Sequence, residues 1–212
     1  MKFNRRHFLG ASMAAGAAFA APASFAAPEF RRVTPTVPAA PKPVDQPEFL
    51  QQALAALDRH SSHIAFRDRI GIADFSQHSR EMRFHLANVE AGRIERSFLV
   101  SHGRGSDPVN SGFVQHFSNQ PGSNASSQGS YLTGDAYYGK HGQSRRLHGL
   151  DEVNDKAFAR AIVIHGADYV DHQMALAQGR IGRSLGCFAF ERHIIAEVLD
   201  RLGEGRLLFA AA

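Results

Sequence analysis

The chain has 212 residues, of which 43% are hydrophobic and 21% charged. Such proportions exclude collagen-like and disordered chains and a chain embedded in a membrane throughout, and the length fits one domain with appendages. One cysteine rules out an intramolecular disulfide and a cysteine-based zinc cluster. The net charge of +4 gives no nucleic-acid signature, because Lys2, Arg5 and Arg6 supply three of those charges and the rest of the chain is left at +1.

Residues 1–26 read as an export signal. Lys2, Arg5 and Arg6 form a positive start, residues 8–21 are weakly apolar and rich in Ala and Gly, and Ser24-Phe25-Ala26 offers small residues for cleavage. Asn4-Arg5-Arg6-His7-Phe8-Leu9 resembles a twin-arginine signal. The expected location is therefore the periplasm or cell envelope. The apolar stretch is short and Ala-rich, and no stable membrane span is expected. Residues 27–47 hold six of the nine prolines and read as an extended tether.

The domain is expected over residues 48–212. Asp45-Gln46-Pro47-Glu48 fits a capping box, and Leu50, Ala53, Leu54 and Leu57 then share one helical face up to His60. The period next becomes two. Ile70 and Ile72 alternate with small residues, and Phe84 and Leu86 follow Met82 in the same rhythm. Ala91-Gly92 predicts a hairpin into residues 94–100. Further short strands are expected at residues 112–117, 130–133, 145–147 and 161–164, and a short helix at 154–160. A better helix, over 192–202, carries Ile194, Ile195, Val198, Leu199 and Leu202 in register, with Gly203 as a stop and a last strand at 206–209. The fold class is mainly β with flanking helices (α+β), in one domain without repeats.

Two segments carry chemistry. Ile162-Val163-Ile164 is a β-branched run that ends in His165-Gly166, which is how a strand delivers a side chain to the rim of a sheet. Gly182-Arg183-Ser184-Leu185-Gly186-Cys187 presents the only thiol on a Gly-rich turn. Thiol catalysis needs a base or cation that lowers the thiol pKa from about 8.5, and backbone N–H groups that hold an oxyanion. A rim His beside a Cys on a Gly turn meets the first need. It also leads to the expectation that part of the thiol is thiolate at neutral pH. An inert buried Cys is the competing reading of the same residues.

His165-Gly166 followed by Ser184, Gly186 and Cys187 resembles the catalytic signature of the murein L,D-transpeptidase catalytic domain family. Ser101-His102-Gly103, Phe117-Ser118-Asn119, Thr133-Gly134, Gly139-Lys140-His141-Gly142, Leu147-His148-Gly149-Leu150 and Tyr169-Val170 continue the likeness in order, over roughly residues 65–210. Two positions depart from the pattern. Leu185 stands where a His is usual, and Phe188 stands where Pro often follows the Cys.

The resemblance implies a mixed β-sheet domain with strands around one helix, and a cysteine-dependent acyl transfer on peptidoglycan stem peptides, both donor and acceptor. It implies Cys187 as nucleophile, His165 as base, Gly186 and the Cys187 N–H at the oxyanion, and Ser184 as a brace of the turn. Arg183, Tyr138 and His141, and similarly His102, become candidates to contact substrate. No cofactor, metal or protein partner is implied. An L,D-carboxypeptidase using water, a non-catalytic wall-binding module and a different secreted cysteine peptidase are the alternatives. The first differs only in the acceptor, the second has no need of the thiol, and the third wants an Asn or Asp to orient the His.

Overall fold

The computed structural model describes residues 46–211; the expected signal and almost all of the expected tether lie outside them. Helix α1, Glu48–Arg59, opens the domain. Pro47 sits at its N-cap with no side-chain hydrogen bond, and the Glu48 side chain accepts from Gln52 instead. The helix thus starts later than the expected capping box, with its fixed proline φ at the boundary.

Eight strands form one mixed sheet: β1 Arg69–Asp74, β2 Phe84–Asn88, β3 Arg93–Phe98, β4 Gly129–Gly139, β5 Gly142–Gly149, β6 Val163–Gly166, β7 Phe188–Phe190 and β8 Leu207–Ala211. Their order is β3-β2-β1-β8-β4-β5-β6-β7. The β1–β8 and β6–β7 pairs are parallel and the others antiparallel. Helices α2, His172–Gln178, and α3, Ile195–Arg201, complete the fold.

The centre of the sheet is covered on both faces. Ile70, Ile72 and Leu207 pack on one side against Leu50, Ala53, Ala56 and Leu57 of α1. Ala73, Leu208 and Ala210 point to the other side, where Val198 and Leu199 of α3 join Phe84, Leu86, Phe188 and Phe190. Strands buried on both faces read as near-continuous apolar runs, and Leu207-Leu208 with its neighbours is such a run.

Several predicted elements change on folding. Residues 112–117 are not a strand, because the Gly112 N–H goes to the Asp107 carboxylate and the Gln115 N–H to the Ser106 carbonyl, away from any ladder. Residues 154–160 form successive turns instead of a helix. The Asn154 side chain bonds Ser130 O and the Asp151 N–H, and Ala161 takes a positive φ of 55°. Helix α3 is shorter than expected, since residues 192–194 form a turn ahead of it. Three α-helices and one 3-10 turn, Arg104–Ser106, accompany the sheet among the described residues, in keeping with the expected mixed sheet with flanking helices. None of them is long and apolar enough to cross a membrane.

Candidate active site

The β6–β7 edge builds the site. Two parallel neighbours need a crossover of a dozen or more residues. Residues 167–187 supply it through α2, which is why His165 and Cys187 stand far apart in sequence yet side by side in space. Ile164 pairs with Phe188 and His165 with Ala189. Continuing the register one step places Cys187 beside Val163. Ile164 and Phe188 point into the α3-side core, so Val163, His165 and Cys187 share the opposite face. With strands about 4.8 Å apart and a rise of about 3.3 Å per residue, the Cα atoms of His165 and Cys187 are about 8 Å apart, within side-chain reach of each other.

Both side chains line a cavity of about 380 Å³ with Tyr137, Lys140, His141, Arg160, Tyr169, Arg183 and Leu185 among its other walls. The Cys187 thiol donates to Ala161 O at 3.6 Å. His165 is 2% exposed, and its Nδ1 lies 3.0 Å from Gly166 O. A carbonyl only accepts, so Nδ1 carries the proton and Nε2 keeps its lone pair. Burial holds His165 down to about 4, and the neighbouring His141, Arg192 and Lys140 push the same way against the Gly166 carbonyl. Burial also raises the Cys187 thiol, against smaller lowering effects of the Val163 N–H and the Arg160 and Lys140 charges. Desolvation outweighs the nearby cations at the thiol and so works against the expected partial thiolate.

The turn that offers Cys187 is tied from several sides. Ser184 N–H donates to His102 O at 2.9 Å and Arg104 N–H to Ser184 O at 2.8 Å. Ser184 Oγ donates to Cys187 O at 2.7 Å and accepts the Gly186 N–H at 3.1 Å. Ser184 thus braces the turn, and the Gly186 N–H, expected at the oxyanion, is already engaged by it. What Gly186 contributes is conformation. Its φ is +114°, and a Cβ there would lie 2.7 Å from Ala125 O and 2.9 Å from Ile162 Cδ1. Gly166 is the last residue of β6, where its missing side chain lets Ile195 approach.

Beneath the turn lies a charge network that the sequence reading did not find. Arg83, His102 and Asp107 are each fully buried. Arg83 donates to His102 Nδ1 at 2.7 Å, twice to Val100 O, and to Gln77 O. His102 Nε2 faces Asp107 Oδ2 at 3.4 Å without a well-aligned hydrogen bond. His102 is held down to about 4, mostly by burial and then by Arg83. It supports the turn from below and does not line the cavity.

The other candidates divide. His141 lines the cavity and stacks on His165 with ring centroids 4.2 Å apart. Arg183 lines it too, with Nη1 donating to Asp107 O. Tyr138 does not: it is 87% exposed, and Tyr137 takes the place expected for it, since adjacent strand residues point to opposite faces. Leu185 is 56% exposed at the mouth. Phe188 is fully buried, stacked on Phe75 and edge-on to Tyr131, so it anchors the segment after Cys187. Arg160 was missed, and Lys140 and Tyr169, though part of the motifs that carry the resemblance, were given no place in the site. Their signal was faint, because a Gly-flanked lysine and an arginine in a turn look like ordinary surface charges. No group of three His, Cys, Asp or Glu suited to a metal occurs among the described residues.

The L,D-transpeptidase catalytic domain family model matches residues 42–211. This chain belongs to that family. No curated protein matches the sequence. Among solved structures, an L,D-transpeptidase from Mycobacterium smegmatis is 13% identical, with a TM-score of 0.42 over 68% of this chain and 59% of that one. L,D-transpeptidase 3 from Mycobacterium tuberculosis, in complex with a faropenem-derived adduct, is 14% identical, with a TM-score of 0.42 over 68% and 60%. An L,D-transpeptidase from Xylanimonas cellulosilytica is 18% identical, with a TM-score of 0.39 over 75% and 69%. The match thus spans less than two thirds of the first two of these chains.

Proposed function

We propose that the protein is an L,D-transpeptidase that transfers an acyl group between peptidoglycan stem peptides through Cys187. One observation carries the reading: the only thiol of the chain lines a cavity together with His165, a buried histidine whose Nδ1 lies 3.0 Å from the Gly166 carbonyl. That is the arrangement of a nucleophile with its general base.

In this reading the stem peptide seats its scissile carbonyl over Cys187. His165 Nε2 takes the thiol proton as Sγ attacks, so no thiolate need exist beforehand. The oxyanion is met by the Cys187 N–H, because the Gly186 N–H is bound to Ser184. Collapse breaks the amide bond, His165 returns the proton to the departing amine, and a Cys187 thioester remains. An acceptor amine then attacks the thioester carbonyl and gives its proton to His165. Collapse forms the new amide, and the proton restores the thiol. Ser184 keeps the turn in place throughout, and Arg183 and His141 contact the donor.

The test supplies a tetrapeptide stem with a second stem as amine acceptor and reads the products by mass. A crosslinked product with the wild type and none with Cys187→Ala supports the reading; equal product from both overturns it. The same proposal places the protein in the periplasm or cell envelope by way of Arg5 and Arg6. Export blocked on changing both to Lys supports the twin-arginine route, and normal periplasmic accumulation refutes that route.

A further inference from the structure

The cavity wall contains Lys140, Arg160 and Arg183 and no carboxylate. Elsewhere several surface arginines, Arg69, Arg96, Arg192 and Arg206 among them, each pair with Asp or Glu. Positive charge without a counter-charge in a concave, partly dry wall repels itself and attracts anions. Its presence in the one cavity that holds the thiol needs an explanation.

The three cations are not equivalent. Arg160 spends Nη1 on Ser118 O and Ser127 Oγ, and Nη2 on Ser123 Oγ and Ala125 O. It is committed to holding the 118–127 loop. Arg183 gives Nη1 to Asp107 O and keeps the rest of its planar fork. Lys140 sits in the tight β4–β5 turn, where Gly139 pairs with Gly142. It is exposed, and it takes part in no ion pair among the described residues. Its charge is felt at His141, His165 and Cys187. Two cations therefore remain available, one on the β4–β5 turn and one on the turn that carries the nucleophile.

We infer that Lys140 and Arg183 form a two-point carboxylate clamp beside Cys187, which restricts the site to acyl donors bearing a carboxylate next to the scissile carbonyl. The carboxylate has two sources, the C-terminus of the leaving residue or the side chain of the acyl residue. The donor specificity rests on the proposed acyl transfer; the clamp itself does not.

The first arm of the test needs no turnover. Cys187 is alkylated with iodoacetate and, separately, with iodoacetamide; in each case the Sγ–C bond forms and iodide leaves. The ratio of the two rates cancels the thiolate fraction and reads only the preference for a negative reagent. A unit charge about 6 Å away in a water-like dielectric changes that ratio about threefold. At low salt the ratio should exceed that of free N-acetylcysteine amide, fall about threefold in Lys140→Gln and about tenfold in Lys140→Glu, and shrink toward that of the free thiol at high salt. A ratio unchanged by both substitutions overturns the clamp.

The second arm compares tetrapeptide donors carrying the free acid, a C-terminal carboxamide or a side-chain carboxamide. Loss of kcat/KM with one amide identifies the source, and Lys140→Gln should reduce that discrimination. Equal turnover of all three overturns the donor specificity. If no donor is turned over while the alkylation ratio follows the charge, acyl transfer fails and the clamp stands.

Discussion

Gly186→Ala should be among the most damaging single-methyl additions in this domain, and its cost can be worked out from the geometry. The residue has φ +114°, a conformation that side chains rarely adopt, and a Cβ would stand 2.7 Å from Ala125 O and 2.9 Å from Ile162 Cδ1. Backbone strain of this kind costs about 1–3 kcal/mol. Forcing a methyl against a carbonyl and a packed side chain costs about 1–3 kcal/mol more. A total of about 4 kcal/mol lowers Tm by roughly 8–16 °C in a domain of this size. Gly122→Ala separates the two parts. Gly122 also has a positive φ, +78°, but nothing lies within 4 Å of its Cβ position, so only about 1 kcal/mol of backbone strain is expected. Thermal melts by circular dichroism read both variants. Turnover of Gly186→Ala, measured well below its own Tm, should be lost, because relief of the clash moves Cys187 off the cavity wall. A Tm within about 2 °C of the wild type would refute the account of this turn.

Acid should destabilise the fold in a defined window. His102 and His165 are both held down to about 4 in the folded state, against an ordinary 6.5, so the unfolded chain binds more protons between these values. Their contribution, on the order of 3 kcal/mol each, is complete above about pH 6.5 and is lost as pH falls toward 4. The lowered Asp107 and Asp151 act in the same direction at lower pH still; a Tm constant from pH 6.5 to 4 contradicts this. Arg83→Met should cost about 3–5 kcal/mol, a Tm loss near 10 °C, since it strips four hydrogen bonds and the counter-charge from buried Asp107; a loss under 3 °C would show the network to be dispensable. Leu185→Ser should change stability by no more than about 0.5 kcal/mol, as the side chain is 56% exposed; a melt displaced by more than 3 °C would contradict this.

Much of the fold could be read where one period ran undisturbed. α1 and the β1–β3 region follow from helical register or alternation in the sequence, β8 from its apolar run, and the run Ile162–Ile164 announced strand β6, which carries His165. Reading failed where side chains captured the backbone. Asp107 draws Gly112 out of any ladder, and Asn154 breaks a helical stretch into turns. β4 was seen only as residues 130–133, because a register shift between Thr133 and Ala136 interrupts its alternation. α2 was missed although its stops were present: the Asp171 side chain accepts the Met174 N–H, and Gly179 ends the helix at φ +70°. Its weak apolar face hid it, since only Ala175 is buried.

At the site, strand and turn chemistry in the sequence singled out His165 and Cys187, and the two line one cavity. The burial that lowers His165 and raises Cys187 was not legible, because it depends on how the surrounding strands and loops pack. Tyr138 was chosen over Tyr137 because nothing local fixes which of two adjacent tyrosines faces inward once the strand carries a bulge.

Central to the account is a nucleophilic Cys187 in a cavity that can acylate it. Intact mass after incubation with a carbapenem tests nucleophile, oxyanion donor and cavity together. The wild type should gain the mass of one carbapenem, Cys187→Ala should gain none, and His165→Ala should gain it far more slowly. An unmodified wild type, or an equal adduct on Cys187→Ala, would contradict the account.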